Sequence, residues 1–299
     1  MRVLDSHLHL WDPALLDYPW LEGPLLSRFA AEEIATAVDG VEDERGFVFV
    51  QADCVEAQYL DETDWVASLA EKVGVRAIVA GARLDRGTET ERHLDAVAAR
   101  PLVVGVRHLL QGEPAGFAGG QAFRSGAAAL VDRGLTFDAC VRGEAQSRDV
   151  EALAAAVPEL RIVLDHLGKP SVGTAVEPEA PSAEWAASMH ALAAHAQVHC
   201  KLSGLPAEAG GSWSAEQLEP FFDVALEAFG PDRLMIGSDW PVSAVTASGW
   251  NGGNGENRAA LDAGAIGAWT EAVASWAVAR DLDVDAIMWR NAESFYRLG

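Results

Sequence analysis

Val3-Leu4-Asp5-Ser6-His7-Leu8-His9-Leu10 alternates with a period of two. Read as an extended segment, it sets Asp5, His7 and His9 on one side and most of its leucines on the other. The pattern recurs along the chain. His199, Lys201 and Ser203 alternate with Val198, Cys200 and Leu202, and Gly237 and Asp239 follow Met235 while Leu234 and Ile236 take the opposite face. Thr136, Asp138 and Cys140 are set against Leu135, Phe137, Ala139 and Val141, and Gln51 and Asp53 continue the face begun by Phe47 and Phe49. In a closed parallel sheet the outer face lies under helices and must be apolar, so the polar face is expected to look into the lumen. Burying this many ionisable groups costs several kcal/mol unless they are paired, metal-bound or hydrated. A purely structural barrel would carry Val, Ile and Leu there. The pattern therefore points to an active site at the carboxyl-end mouth of a barrel.

The rest of the sequence supplies the frame. Strands are expected at 3–10, 47–54, 77–84, 102–109, 135–141, 161–166, 198–203 and 234–239. Helices of 3.6-residue period are expected at 60–72, 89–99, 121–132, 146–157, 183–196 and 215–229. The last of these is framed by Ser214-Ala-Glu-Gln217, a capping box, and stopped by Gly230-Pro231. Eight strand–helix alternations are the pattern of an α/β fold of the (β/α)8 TIM-barrel type, with residues 1–299 as one domain. Two connections are long, 11–46 with Trp11, Tyr18, Trp20 and Phe29, and 241–264 with Gly252-Gly253-Asn254-Gly255, and both are candidate lids.

Composition removes several function classes. The 299 residues carry a formal net charge of −23, which disfavours nucleic-acid and anionic-membrane partners. The three cysteines, Cys54, Cys140 and Cys200, are scattered and fit a reducing cytoplasm better than a disulfide framework. No apolar run reaches the ~18 residues of a membrane span, and the polar start of the chain does not read as a signal peptide. There is no GxSxG elbow, P-loop or HExxH.

Candidate site residues come from the strand ends. His7 and His9 project to one side about 6–7 Å apart along the strand, close enough to share one metal ion. Barrel closure makes the first and last strands neighbours and brings Asp239 beside them. His166 ends the sixth strand, and Arg107 with His108 ends the fourth. Lys201 reads either as an ion-pair partner of Asp138 or Asp53 or as a substrate-binding group. Gln51 belongs to the same polar face, and Trp11, Trp20 and Trp240 offer apolar faces for a sugar ring.

Five segments in register then carry a resemblance: Asp5-Ser-His7-Leu-His9-Leu-Trp11-Asp12, Gly105-Val-Arg107-His108, Asp165-His166-Leu-Gly168-Lys169-Pro170, Cys200-Lys201-Leu-Ser203-Gly204-Leu and Gly237-Ser-Asp239-Trp240-Pro241. Together with Asn291-Ala292-Glu-Ser-Phe295-Tyr296 they resemble the amidohydrolase superfamily. Within it they are similar to the sugar-acid lactonase group of L-fuconolactonase and L-rhamnonolactonase, and more distantly to 2-pyrone-4,6-dicarboxylate lactonase. The resemblance implies a hydrolase that opens a small-molecule lactone, with Asp239 as general base. His7, His9 and His166 would be metal ligands or carbonyl-polarising groups, and Arg107, His108, Lys169, Lys201 and Trp240 would line the pocket. It also implies at most one divalent ion, zinc by ligand type, on His7, His9 and Asp239, or metal-independent hydrolysis. Dinuclear relatives carry a bridging lysine or glutamate after the fourth strand and a histidine after the fifth, where this chain has Arg107-His108, then Asp138 and Cys140. The alternatives are a metal-dependent decarboxylase of an unsaturated or aromatic acid and a non-catalytic binder on the same barrel. The sequence leaves a homo-oligomer open.

Overall fold

The computed structural model describes residues 1–40, 44–246 and 261–299. Eight parallel strands lie side by side in chain order: β1 (Arg2–Leu8), β2 (Glu44–Val50), β3 (Val75–Gly81), β4 (Val103–Arg107), β5 (Thr136–Ala139), β6 (Ile162–Leu164), β7 (Val198–Leu202) and β8 (Leu234–Ile236). The ring closes just beyond the last rung. The Asp239 N–H donates to the His7 carbonyl at 2.8 Å, and the His9 N–H to the Trp240 carbonyl at 2.9 Å. The architecture is the expected (β/α)8 TIM barrel. Several expected strands run past the ladder into their carboxyl-end loops, because His9, Asp53, His166 and Asp239 lie just beyond the hydrogen-bonded rungs.

The helices follow the apolar periodicity. They are α1 (Ala31–Ala37), α2 (Tyr59–Val73), α3 (Thr88–Ala98), α4 (Gln121–Asp132), α5 (Glu144–Ala156), α6 (Ala183–Ala193), α7 (Leu205–Glu208), α8 (Ala215–Phe229), α9 (Ala265–Ala279) and α10 (Asn291–Tyr296). Helix α8 begins at the expected capping box: Ser214 Oγ accepts from the Gln217 N–H while Gln217 Oε1 accepts from the Ser214 N–H. The long first connection has structure of its own, a 3-10 turn at Gly23–Leu26 and α1, pinned where Trp11 Nε1 donates to the Leu25 and Ser27 carbonyls. It forms a packed wall of the mouth. The Gly252–Gly255 cluster of the second long connection lies outside the described residues.

The barrel interior and the helix layer are separate apolar clusters. Leu4, Val48, Val50, Val79, Val163 and Met235 pack together in the lumen, and Trp289, Phe295 and Tyr296 plug its amino-terminal end. Val3, Leu8, Phe47 and Phe49 belong to the core under the helices. The strict alternation read for β1 is therefore broken. A register shift between Asp5 and Leu8 leaves Leu4 and His7 facing inward and turns Asp5 outward, where its Oδ1 accepts from the His7 and Ser238 N–H groups. Gln51 likewise follows Phe47 and Phe49 to the outer side, against the expectation that it faces the site.

Helix α2 brings one carboxyl into the core behind the rim. Glu62 is fully buried, and its Oε1 accepts from the Ala52 N–H at 3.1 Å. Burial lifts its pKa to about 7, against the opposing pull of the Ala52 N–H, Tyr18 and Arg107. In the unfolded chain a glutamate titrates near ~4.3, so the folded state holds a proton between these values that the unfolded state has lost. This contribution is fully present below about pH 4 and is lost as pH rises through 7. Glu62→Gln keeps the acceptor for Ala52 and carries no charge. It is expected to exceed the parent in stability at pH 8 by on the order of 3–4 kcal/mol, with the gap closing at pH 4. Urea titrations at the two pH values read this directly, and equal midpoint shifts at both would contradict it.

Candidate active site

The rim is built where strands end and the backbone turns left-handed. Asp53, His166, Leu167, Lys169 and Asp239 all have φ between 51° and 60°. Such conformations cost non-glycine residues free energy and persist where the surroundings over-determine them, most often at functional sites. At His166 the consequence is direct: Asp165 follows the inward face of β6, and the left-handed turn swings the next side chain in as well. Its ring lies over Gly204, where a Cβ would come within 2.4 Å of His166 Nδ1 and where φ is +71°. Only glycine fits that approach.

Three imidazoles surround one carboxylate oxygen. Asp239 Oδ1 lies 3.4 Å from His9 Nε2, 3.7 Å from His166 Nε2 and 3.8 Å from His7 Nε2. Its Oδ2 accepts from Ser243 Oγ at 2.8 Å, which fixes the carboxylate plane. Burial by itself would raise the Asp239 pKa, but His166, His9 and Lys169 outweigh it and hold the carboxyl below its usual range. Burial also drives the His166 pKa well below the ordinary imidazole value, against the pull of Asp239. Ser203 Oγ accepts the His166 backbone N–H at 3.2 Å and lies 2.9 Å from Nδ1. The hydroxyl proton is thus free to go to Nδ1, which leaves Nε2–H directed at the mouth.

Beneath these groups the lumen holds a buried ion-pair network. Lys201 Nζ contacts Asp138 Oδ2 at 2.5 Å and Asp165 Oδ1 at 3.0 Å, and Tyr296 donates its hydroxyl to Asp138 Oδ2 at 2.8 Å. Burial favours a neutral Lys201, yet Asp138 and Asp165 overcome it and keep the ammonium protonated. Asp165 is also held ionised against burial, by Lys201 and His7. A cavity of about 360 Å³ opens above, lined by His9, His166 and Asp239 on its floor, and by Trp20, Asp53, Arg107, Gln111, Arg142, Lys169 and Glu208 among its walls.

The donor set fits a divalent ion. A tetrahedral zinc with ligands at about 2.0–2.2 Å requires donor–donor edges of roughly 3.3–3.5 Å. The His7, His9 and Asp239 donor atoms are spaced 3.1, 3.4 and 3.8 Å apart. The outer partners are also those of a metal site: His9 Nδ1 donates to the Val50 carbonyl at 2.8 Å, and His7 Nδ1 lies 3.2 Å from Asp165 Oδ1. Among the described residues His7 also shares a second compact donor group with Asp165 and His166.

Comparison with known proteins decides the family. The amidohydrolase family model matches residues 4–298. The chain is a member of the amidohydrolase family. L-fucono-1,5-lactonase of Burkholderia multivorans (strain ATCC 17616 / 249) is 33% identical over 258 residues, covering 82% of this chain and 84% of that protein. L-rhamnono-gamma-lactonase of Scheffersomyces stipitis is 24% identical, covering 82% and 87%. A crystal structure of a Burkholderia multivorans amidohydrolase with bound zinc superposes with a TM-score of 0.78 at 30% identity, over 100% of both chains.

Several residues expected at the pocket of this amidohydrolase are placed elsewhere. His108 follows the inward Arg107 and so points outward, bonded to Glu113 and packed on Phe117 and Phe123. Trp11 is fully buried in the wall, and Trp240 packs edge-on to Phe29 away from the mouth. Gln51 turns outward, although its carbonyl accepts from the Arg107 guanidinium. Lys201 lies below the cavity, as an ion-pair partner of Asp138. Arg107, Lys169 and Trp20 do line it, and Lys169 Nζ donates to Gln111 Oε1 at 2.5 Å. Sequence reading missed Asp165 as the hub of the network, and also the wall pair Arg142–Glu208, joined by two hydrogen bonds of 2.7 and 2.8 Å. Asp165 sits in the quoted Asp165-His166 segment and carried a signal. Glu208 lies on a one-turn helix with none.

Proposed function

We propose that this amidohydrolase opens the lactone ring of a sugar acid by water attack, with Asp239 as general base. The observation that carries the reading is Asp239 Oδ1, ionised, facing the cavity within 3.8 Å of three imidazole nitrogens. Two lactonase relatives of similar length support the substrate class. A lactone is a reactive ester, and its hydrolysis needs a base for the attacking water and donors for the oxyanion. Asp239 accepts the proton of the water as its oxygen bonds to the carbonyl carbon, a contribution of about 10²–10⁴ in rate. His166 Nε2–H is directed at the carbonyl oxygen and stabilises the charge that develops there. Collapse breaks the ring C–O bond, and the proton held by Asp239 passes to the leaving alkoxide. A divalent ion on His7, His9 and Asp239 would lower the pKa of water towards ~7 and polarise the ester carbonyl.

The walls suit a hydroxylated, uncharged ring. Asp53, Glu208 and Gln111 accept from hydroxyl groups, Lys169 donates, and Trp20 gives an apolar face. A panel of 1,4- and 1,5-lactones of five- and six-carbon sugar acids, followed by acid release, tests the reading. At least one lactone is expected to turn over well above its spontaneous rate. A panel in which none does so, with or without added zinc, refutes the proposal.

A further inference from the structure

The turn after β2 is held from several sides. The Gln51 N–H donates to the Val79 carbonyl at 2.9 Å, and the Gln51 carbonyl accepts from the Arg107 guanidinium. The Ala52 N–H donates to the buried Glu62 at 3.1 Å, and the Ala52 carbonyl accepts from Trp20 Nε1 at 2.7 Å. The Asp53 N–H donates to Gln51 Oε1 at 2.5 Å. Strands β3 and β4, helix α2 and the first connection thus each fix one group of this short segment.

What the bracing holds is a strained residue, Asp53, with φ of 60°. Glycine takes that backbone at no steric cost, so a turn serving the fold alone would carry glycine. The Asp53 side chain lines the cavity. Among the described residues its carboxylate accepts no hydrogen bond and joins no salt bridge, and Arg107 and His9 act on its charge only at longer range. The other acceptors of the wall are engaged. Glu208 gives both oxygens to Arg142, at 2.7 and 2.8 Å, and Gln111 Oε1 takes Lys169 Nζ at 2.5 Å. A ring hydroxyl that bonds Glu208 or Gln111 competes with a bond already made, whereas one that bonds Asp53 satisfies an acceptor that the fold leaves open.

We propose that Asp53 is the specificity-determining residue of the cavity, taking one ring hydroxyl of the substrate on a carboxylate held in place by Gln51, Glu62, Trp20 and Arg107. A site built around one hydroxyl rejects the analogue that lacks it, because its polar group is then left without a partner. The inference rests on the reading that a hydroxylated ring occupies the cavity, and its test does not use turnover.

The 1,4- and 1,5-lactams of five- and six-carbon sugar acids keep the ring, hydroxyls and carbonyl of the lactones and resist hydrolysis. Calorimetry on the unaltered chain selects the lactam that binds most tightly. Its monodeoxy analogues are then compared, one hydroxyl at a time, in the parent and in Asp53→Gly, which accepts the same φ and so keeps the turn. Removing one particular hydroxyl is expected to raise Kd by at least about 10-fold in the parent and by less than about 2-fold in Asp53→Gly. The other hydroxyls are expected to matter equally to both proteins. A merely structural role would weaken every lactam alike and leave each ratio unchanged. Equal losses in the two proteins for every hydroxyl, or a parent that binds no lactam, overturn the proposal. Should Asp53→Gly fail to fold, Asp53→Asn reads the same comparison, because asparagine tolerates this backbone. Without the charge the 10-fold loss is expected to shrink to about 3-fold, and an undiminished loss would overturn the assignment. Lactam binding that follows Asp53 while no lactone is opened would leave this inference standing and remove hydrolysis. Lactones opened with no such dependence would do the reverse.

Discussion

Asp239→Asn is expected to leave a folded protein whose kcat for its lactone falls by about 10²–10⁴-fold, the range of a lost general base. The substitution is nearly isosteric, and the amide oxygen can still accept from Ser243 Oγ, which now holds Oδ2 at 2.8 Å. What disappears is the negative charge that His166, His9 and Lys169 hold in place. Because the carboxyl titrates below its usual range, the parent is expected to lose activity on the acid side only under strongly acidic conditions, and the Asn variant is expected to lose this limb. KM should change little, since the lost step is proton transfer rather than binding. Full kcat in a folded variant would remove Asp239 from the chemistry.

The second large effect is predicted at a residue with no side chain. In Gly204→Ala the new Cβ would stand 2.4 Å from His166 Nδ1 and 2.5 Å from its Cγ, in a backbone with φ of +71°. Neither the ring nor the loop can stay in place. Displacing a positioned group by about 1 Å costs on the order of 10²-fold in rate, and the strained backbone adds on the order of 1–3 kcal/mol of destabilisation. Kinetics together with a thermal melt check this. A variant that keeps both activity and melting temperature would show that the His166 ring does not depend on that approach.

The barrel was readable because two simple periods coexist in the chain, two for the strands and 3.6 for the helices, and the boundaries of α4 and α8 coincide with the expected ones. His7, His9 and Asp239 were readable because strand alternation and ring closure are geometric rules. His166 came from its place at a strand end, but the left-handed turn that carries it into the site has no sequence mark beyond the glycines around it. The misplaced residues have different causes. A register shift near Asp5 and single-residue alternation after β2 and β4 send Asp5, Gln51 and His108 to the outer side. At Asp5 an unseen bulge breaks the face periodicity, whereas Gln51 keeps the face of Phe47 and Phe49, which is the outer one. Trp11 and Trp240 misled for a different reason: large aromatic rings near a mouth serve equally well as its foundations.

Tyr296 belongs to α10 at the floor of the barrel, yet its hydroxyl reaches Asp138 in the lumen, and from there Lys201 leads to His7. The rim of the mouth is thus wired through the bore to α10. During folding Asp138 must wait for that phenol until α10 docks, so the lumen cannot acquire its finished electrostatics before that helix is in place.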